Sequence, residues 1–349
     1  MKNFNINNLI RTNILNMKSY ASARDEFKDF RCEMIYLDAN ENPYDNGFNR
    51  YPDPQQLELK EAIADIKKVK IENILVGNGS DEILDLLFRA FCEPYKDNVI
   101  TLPPTYGMYE VLATINAVEN RTVHLTSEFQ PNVEEILKNT DDNTKILFLC
   151  SPNNPTGNSF SDEIIFKILE KFRGLVLIDE AYVDFSEKES WLKLLNEYPN
   201  LIVCQTLSKA YAMAGLRIGL LYASAAIITV LNKIKLPYNV NVISQEKAIK
   251  KVQQTTLDFQ IKRIIIERDK LYNALKTISF IEKVIPSDAN FILIKVDNAN
   301  LRYQQFIDKG IVIRNRSNLP LCDNCLRITI GTKEENEKVI QLLKILQYA

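Results

Sequence analysis

The first two thirds of the chain alternate continuous apolar runs with amphipathic stretches. Continuous apolar runs are typical of strands covered on both faces, and they predict strands at residues 99–102, 146–150, 175–178, 201–204 and 218–222. Between them, the helical spacing of apolar positions predicts helices at residues 82–91, 106–115 and 162–172. Such alternation predicts an α/β fold with a mostly parallel central sheet.

The pattern changes after Pro237. Residues 242–277 form a long, charged and amphipathic stretch with little glycine or proline, which predicts one long helix or two. Thr332 and Glu335 form a capping-box pattern that begins a last helix. Between these helical regions, shorter apolar runs predict strands at 291–296, 311–313 and 327–330. This part of the chain therefore predicts a smaller α+β unit.

The length of the chain indicates two domains. A single core rarely supports as many as 349 residues. We predict an N-terminal arm that also contributes to the small domain at 1–35, a large α/β domain at 36–240 and a small α+β domain at 241–349.

Composition and charge exclude several classes of protein. Hydrophobic residues make up 46% and charged residues 25%, as in ordinary globular proteins. The net charge of -2 offers no bulk attraction to nucleic acid. The first twenty residues lack the apolar segment of a secretory signal, and no uncharged stretch is long enough for a membrane helix. We therefore expect a cytoplasmic protein that binds neither nucleic acid nor membrane.

The histidine and cysteine content argues against hydrolase and metal chemistry. His124 is the only histidine, and no serine or cysteine nucleophile motif lies near it, which disfavours a Ser-His-Asp site. We expect it to be structural, in a strand and partly buried. Cys322 and Cys325 form a C-x-x-C pair, but zinc would need two further ligands, so no metal site is expected. Cys150 and Cys204 interrupt apolar runs and are expected to be buried free thiols.

The candidate chemistry centres on Lys209. This lysine follows Ser208, precedes Arg217 by eight residues and lies downstream of Asp179, which ends a predicted strand. Together these residues provide an amine for a Schiff base, donors for a phosphate and a carboxylate for a ring nitrogen, as a pyridoxal-phosphate enzyme requires. Ligands of open α/β sheets bind at the carboxyl ends of the strands, so Asn154, which follows another strand, is expected to converge there.

A glycine-rich turn adds a candidate phosphate site. Residues 77–82 follow a short apolar run and open a helix, where free N–H groups can bind an anion. Ser80, Asp81 and Glu82 are the candidate cofactor ligands of this segment. Taken alone, the turn is better explained as a plain helix cap by Ser80 or Asp81 than as a phosphate site. In combination with Ser208 and Arg217, the phosphate site is favoured. Tyr106 follows another strand-to-helix turn and could stack on a flat ring or simply pack.

These segments resemble the fold-type I pyridoxal-phosphate aminotransferases. The resemblance covers nearly the whole chain and is closest to the histidinol-phosphate aminotransferases. The motif around Lys209 is shared by the wider class, whereas Asn40-Glu41-Asn42-Pro43 and the segment from Leu326 to Gly331 narrow the resemblance. The phosphate loop departs slightly, because some relatives have alanine at the position of Ser80.

The resemblance implies a role for each candidate residue. Lys209 would hold the cofactor as a Schiff base, with Asp179 on the ring nitrogen and Tyr106 stacked on the ring. Tyr182 and Asn154 would hydrogen-bond the ring hydroxyl oxygen. The residues implied around the cofactor phosphate are Ser80, Asp81, Ser208 and Arg217, joined by Tyr51 from the other subunit of a homodimer. Those implied for the substrate anion are Arg327, Arg314 and Tyr20.

The reaction implied by the resemblance is an amino-group transfer in histidine biosynthesis. L-histidinol phosphate and 2-oxoglutarate would give imidazole acetol phosphate and glutamate, with pyridoxal 5'-phosphate as cofactor. An aromatic aminotransferase or a phosphothreonine-type decarboxylase of the same fold would use the same lysine and aspartate. A regulatory module that binds the cofactor without turnover is a further alternative from another class.

Overall fold

The computed structural model describes residues 4–20, 35–254 and 256–348. Its large sheet has seven strands in the order β1-β7-β6-β5-β4-β2-β3. These strands are β1 Ile74–Asn78, β2 Asn98–Thr101, β3 Glu119–Thr122, β4 Thr144–Cys150, β5 Leu175–Asp179, β6 Leu201–Thr206 and β7 Ile218–Tyr222. Only β7 runs antiparallel to its neighbours, which confirms the predicted mostly parallel α/β sheet.

Helices cover both faces of this sheet. They are α1 Thr12–Asn16, α2 Leu57–Lys67, α3 Ser80–Phe91, α4 Met108–Ile115, α5 Val133–Lys138, α6 Asp162–Lys171 and α7 Ala225–Ile234. Along β4, Leu147 and Leu149 enter the hydrophobic cluster on one face, and Ile146 and Phe148 enter the cluster on the other. A strand buried on both sides needs apolar residues at every position, which explains the continuous runs in the sequence.

A second sheet of four antiparallel strands has the order β10-β11-β9-β8. Its strands are β8 Ile281–Val284, β9 Phe291–Val296, β10 Arg314–Asn315 and β11 Cys325–Thr329. The helices of this part of the chain are α8 Val242–Val252, α9 Thr256–Leu275, α10 Ala299–Asp308 and α11 Lys333–Leu346. Leu326 and Ile328 pack into a cluster of this unit, while Phe291 and Leu293 join the large-sheet cluster. The small sheet therefore lies with one face toward the large unit.

Most predicted elements of the C-terminal part are confirmed, and one is wrong. The stretch 242–277 forms two helices, and the Thr332–Glu335 capping box begins α11. The strand predicted at 311–313 is wrong: β10 is only Arg314–Asn315. Ile313 is buried, so its apolar character reflects packing outside a strand.

The prediction for His124 is also wrong. Strand β3 ends at Thr122, and His124 follows it with an exposed side chain. Val123 and Leu125 on either side are buried, so the alternating backbone turns His124 outward. The thiols of Cys150 and Cys204 are free and buried, as predicted.

The described part of the N-terminal arm packs on the large unit. Ile14 of α1 is buried in the cluster that includes α3 and α7, and the backbone N–H of Arg11 donates to the carbonyl of Ala90 at 3.0 Å. Residues 1–3 and 21–34, on which the rest of that prediction falls, lie outside the described residues. The boundaries at 35 and 240 stay predictions. Within the described ranges, no helix has the length and apolar character needed to span a bilayer.

Candidate active site

A cavity of about 140 Å³ lies where the carboxyl ends of β4, β5 and β6 meet the start of α3. The cavity is lined by Ser80, Asp81, Tyr106, Cys150, Asn154, Asp179, Ala181, Tyr182, Thr206, Ser208, Lys209, Ala214 and Arg217. Residues from six separate segments converge there because adjacent parallel strands end at the same edge of the sheet. The fold therefore brings together nine residues proposed from the sequence.

One end of the cavity is built to accept an anion. Gly79 precedes α3 at φ 80° and has no side chain to cap the helix, so the first N–H groups of α3 remain available. A Cβ on Gly79 would lie 2.6 Å from Nη2 of Arg217, so only glycine lets the guanidinium lie over this turn. Ser80 and Ser208 add hydroxyl groups at the same end. This donor set fits a phosphate group.

Arg217 and Tyr106 both reach Asp81. Arg217 adopts a left-handed backbone conformation, with φ 56° and ψ 57°, immediately before β7. Its Nη2 lies 3.7 Å from Oδ2 of Asp81, and the hydroxyl of Tyr106 donates to Oδ1 of Asp81 at 3.0 Å. Tyr106 is thereby held at the cavity wall, with its ring perpendicular to that of Tyr109.

Asp179 is a buried carboxylate at the end of β5, with an exposed fraction of 4%. The hydroxyl of Tyr109 donates to its Oδ2 at 2.7 Å, and the backbone N–H of Ala181 donates to Oδ1 at 3.1 Å. Burial raises the pKa of Asp179 above its usual value in spite of these two donors. A cation in the cavity would offset that cost, so the site fits a protonated ring nitrogen.

Lys209 lies in the loop after β6, with its side chain exposed to the cavity. Its ammonium group lies 5.7 Å from the ring centroid of Tyr182. The surrounding protein, and next the positive charge of Arg327, lower the pKa of Lys209. A lowered pKa makes a larger fraction of the amine neutral, and only the neutral amine is a nucleophile or a base.

Tyr182 and Asn154 lie between the lysine and the small sheet. Tyr182 is buried, and its ring meets that of Phe291 of β9 edge-on at 5.1 Å. Oδ1 of Asn154 accepts a hydrogen bond from Nη1 of Arg327 at 2.5 Å. The cavity is thus continuous with the face of the small sheet that carries Arg327.

Arg327 lies next to the cavity, hydrogen-bonded to Asn154 of its lining. Burial, and then the nearby Arg314, lower its pKa, while Tyr182 acts in the opposite direction. Its Nε is buried without a hydrogen-bond partner among the described residues. Arg314 lies directly opposite Arg327 in the strand pairing and is exposed. Arg327 forms no ion pair with any residue that the structure describes, and a half-buried guanidinium of this kind is suited to bind an anion.

Comparison with known proteins agrees with this geometry. The sequence model of the "Aminotransferase class I and II" family matches residues 12–343. The chain belongs to the class I and II aminotransferase family. It is 68% identical to the histidinol-phosphate aminotransferase of Flavobacterium psychrophilum over 346 residues, which cover 99% of this chain and 100% of that protein. It is 62% identical to the Flavobacterium johnsoniae enzyme of the same name, covering 99% of this chain and 100% of that protein.

A solved structure with the same name has the same fold. The histidinol-phosphate aminotransferase of Clostridium acetobutylicum superposes with a TM-score of 0.80 at 26% identity, covering 86% of this chain and 91% of that one. The α/β architecture described above is therefore the fold of class I and II aminotransferases.

Five proposed residues of this aminotransferase are not among those that line the cavity: Arg327 and Arg314, described above, and Glu82, Tyr51 and Tyr20. Glu82 instead accepts hydrogen bonds from the backbone N–H of Asn78 and from Nδ2 of Asn239. Tyr51 is 52% exposed and stacks on Tyr238 at 4.4 Å. Tyr20 is 76% exposed, and residues 21–24 that follow it lie outside the described part. Glu82 lies in the first turn of α3, and its side chain folds back onto the start of that helix instead of entering the cavity.

Sequence reasoning missed two polar contacts of the aminotransferase site. Tyr109, which donates a hydrogen bond to Asp179, lies in the first turn of α4 close after Tyr106, but the contact joins positions 70 residues apart and has no local signal. Asn239, which holds Glu82, likewise has no local signal, because the contact joins positions 157 residues apart.

Proposed function

We propose that the protein catalyses pyridoxal-phosphate-dependent transfer of the amino group of L-histidinol phosphate to 2-oxoglutarate, in histidine biosynthesis. The observation that carries the proposal is one cavity lined by Lys209 and the buried Asp179, with Arg327 hydrogen-bonded to Asn154 of the cavity lining. Full-length identity of 68% to a protein named histidinol-phosphate aminotransferase supports it.

The residues of the cavity fit pyridoxal phosphate. Ser80, Ser208 and Arg217 would bind its phosphate, Tyr106 would stack on its ring, and Tyr182 and Asn154 would bond its hydroxyl oxygen. The bound cofactor supplies an electron sink for the pair of electrons left at the substrate Cα when the proton is removed. Asp179 would keep the ring nitrogen protonated, and the hydrogen bonds from Tyr109 and Ala181 hold the carboxylate in place.

Lys209 both anchors the cofactor and moves the proton. Its surroundings lower the pKa of its amine, which favours the neutral form that can act as a base. Once a substrate amine had replaced it on the cofactor, the freed amine of Lys209 would accept the proton of the substrate Cα and could donate it back on the cofactor side. One flexible side chain could serve both positions because only the imine nitrogen would separate the two carbon atoms.

Arg327 accounts for the two different substrates. L-histidinol phosphate has no α-carboxylate but carries a phosphate, while glutamate carries a second carboxylate. The planar guanidinium can bind either anion through two parallel hydrogen bonds. Its hydrogen bond to Asn154 fixes its orientation relative to the cofactor end of the cavity.

A homodimer with shared sites completes the proposal. Tyr51 and Phe48, which are 52% and 66% exposed, line one surface pocket. Exposed aromatic groups in one patch are typical of an interface. Tyr51 would reach the cofactor phosphate of the partner subunit across that interface. We expect the enzyme in the cytoplasm, where histidine is made.

The decisive experiment measures glutamate formed from L-histidinol phosphate and 2-oxoglutarate by the purified holoenzyme. We expect turnover, and Lys209→Ala should lose both the absorbance of the lysine-bound cofactor and nearly all activity. Substantial transamination by Lys209→Ala would contradict the assignment. Release of carbon dioxide from phosphothreonine without glutamate formation would instead indicate a decarboxylase.

A further inference from the structure

The face of the small sheet that carries Arg327 presents three arginines. Arg314 of β10 lies opposite Arg327 of β11. The backbone N–H of Arg316 donates to the carbonyl of Cys325 at 2.8 Å, so the antiparallel pairing continues past the end of β10. Side chains two residues apart on a strand share a face. Arg314, Arg316 and Arg327 therefore form one arginine face.

This arginine face is turned toward the cavity. Phe291 and Cys325, on the same side of the sheet as Arg327, belong to the hydrophobic cluster that contains Tyr182. Leu326, on the opposite side, belongs to the separate cluster beneath the helices of the small unit. The charges of both Arg327 and Arg316 act on the Tyr182 hydroxyl, which lines the cavity.

The three arginines of this face differ from several other arginines of the described chain in having no acidic partner there. Arg302, for example, pairs with Asp297 at 2.7 Å. Within the described residues, no such ion pair includes a member of the arginine face. The Nε atoms of both Arg316 and Arg327 are also buried without a hydrogen-bond partner among those residues. Half-buried like charges without a partner are costly, and a bound anion would offset that cost.

The charge state of Arg316 reflects this environment. Burial, and then the charges of Arg327 and Arg314, lower its pKa to about 10. Arg316 remains protonated at neutral pH, so its positive charge is held close to two others. The arrangement favours a ligand with more than one negative charge over a monoanion.

We propose that Arg316 is a specificity-determining residue that binds the substrate phosphate as a dianion, together with Arg327 and Arg314; this inference rests on the proposed function. A phosphate monoester has three acceptor oxygens and a second pKa near 6, so it is mostly dianionic at neutral pH. A carboxylate has one charge and two oxygens, which Arg327 alone can satisfy. Arg316 would thus favour the phosphorylated substrate and contribute little to glutamate.

The test compares the Arg316→Met holoenzyme with the wild-type holoenzyme in two separate half-reactions. Cofactor absorbance is followed in single turnovers with L-histidinol phosphate and, separately, with L-glutamate. We expect kcat/KM for the phosphorylated amine to fall roughly ten-fold or more, the loss of one charged hydrogen-bonding partner, and kcat/KM for glutamate to change less than about three-fold. Arg263→Met removes an exposed arginine of α9 and should leave both rates unchanged.

A pH profile separates binding of the second charge from a structural role. For wild type, kcat/KM with the phosphorylated amine should rise as the phosphate loses its second proton near pH 6, and Arg316→Met should flatten that rise. Arg316→Lys keeps a positive charge, so it should restore part of the rise of kcat/KM with pH. An equal loss on both substrates with an unchanged pH profile would overturn the proposal.

Failure of this inference can be told apart from failure of the proposed function. If wild type does not react with L-histidinol phosphate, the proposed function itself is wrong. If wild type reacts and Arg316→Met keeps the full preference for the phosphorylated amine, with its fold and cofactor absorbance intact, only the role of Arg316 is refuted. Inhibition by inorganic phosphate, which should weaken in Arg316→Met, provides an independent check on an intact protein.

Discussion

Asp179 combines a charge with nearly complete burial, and its neighbours decide what it can do. Cys150 and Cys204 lie beside it on the adjacent strands, and neither supplies a strong donor. Two donors, Tyr109 and the N–H of Ala181, hold the carboxylate, yet burial still raises its pKa. A cation in the cavity would therefore stabilise the ionised form of Asp179, which would couple this residue to the cofactor.

Asp179→Asn should bind the cofactor but abstract the substrate proton slowly, because an amide does not keep the ring nitrogen protonated. Tyr109→Phe removes a single donor to Oδ2 and should cost less, about 1–3 kcal/mol in the activation free energy. Single-turnover rates of Cα proton removal measure both effects. A normal rate in Asp179→Asn would refute the role given to this carboxylate.

Arg327→Ala should weaken the binding of both substrates. Losing one charged hydrogen-bonding partner costs about 1.5–3 kcal/mol, or roughly ten- to hundred-fold in kcat/KM for L-histidinol phosphate and for glutamate. Arg314→Ala should lower kcat/KM more for the phosphorylated substrate than for glutamate, because Arg314 would add a second positive charge opposite the phosphate dianion. Steady-state kinetics of both variants with each substrate measure these changes in kcat/KM. Equal and negligible effects in both variants would locate these arginines outside the pocket.

At the scale of elements, a hydrogen-bonded network joins the start of α3 to the loop that carries Tyr51. Asn239 donates to Oε2 of Glu82 at 2.9 Å, and Glu82 also accepts from the backbone of Asn78. Lys235 connects Asn239 to the carbonyl of Pro54, at 3.2 Å and 2.9 Å respectively. The network orients the N–H groups of α3 and the Tyr51 loop together.

Asn239→Ala should weaken cofactor binding although Asn239 does not line the cavity. The start of α3 loses a contact to Glu82, so its phosphate-binding N–H groups are held less firmly, and the free energy of unfolding should fall by about 1 kcal/mol. Cofactor retention on dilution and thermal unfolding of the holoenzyme measure the two effects. Asn196→Ala, at an exposed position, is the matched control. Retention equal to that control would show that the network does not support the phosphate site.

At the scale of the whole molecule, the position of Tyr51 supports the proposed homodimer. Its backbone N–H donates to Oε1 of Glu41 at 2.7 Å, and its ring stacks on Tyr238, so the loop is ordered although Tyr51 is half exposed. Pro52 and Pro54 restrict the backbone after it. A fixed, exposed tyrosine outside its own cavity is suited to a site on a second copy of the chain.

Mixing a Lys209→Ala chain with a Tyr51→Ala chain tests the shared site. In a heterodimer, one site would carry both changes and the other neither, so activity should return to about half of the wild-type value per dimer. The measurement is the activity after subunit exchange, corrected for the fraction of heterodimer. No recovery despite proven exchange, with Tyr51→Ala impaired on its own, would mean that Tyr51 acts within its own subunit. A fully active monomer would refute the shared site.

The residues that form the cofactor end of the cavity could be predicted from the sequence. Lys209, Asp179, Asn154 and the turn before α3 each follow an apolar run that could only be a buried strand. The edge at which parallel strands end is the same for all of them, so topology alone brings their side chains together.

Contacts between distant segments were decided only by the tertiary structure. The direction of Glu82 depends on Asn239, and the burial of Arg316 depends on a two-residue strand paired with β11. The exposure of His124 depends on where the edge strand β3 ends. Local periodicity reports which face of an element is apolar, because each residue's surroundings along a strand or helix repeat regularly. Which polar groups meet across the fold depends on packing between elements, and no local pattern encodes that.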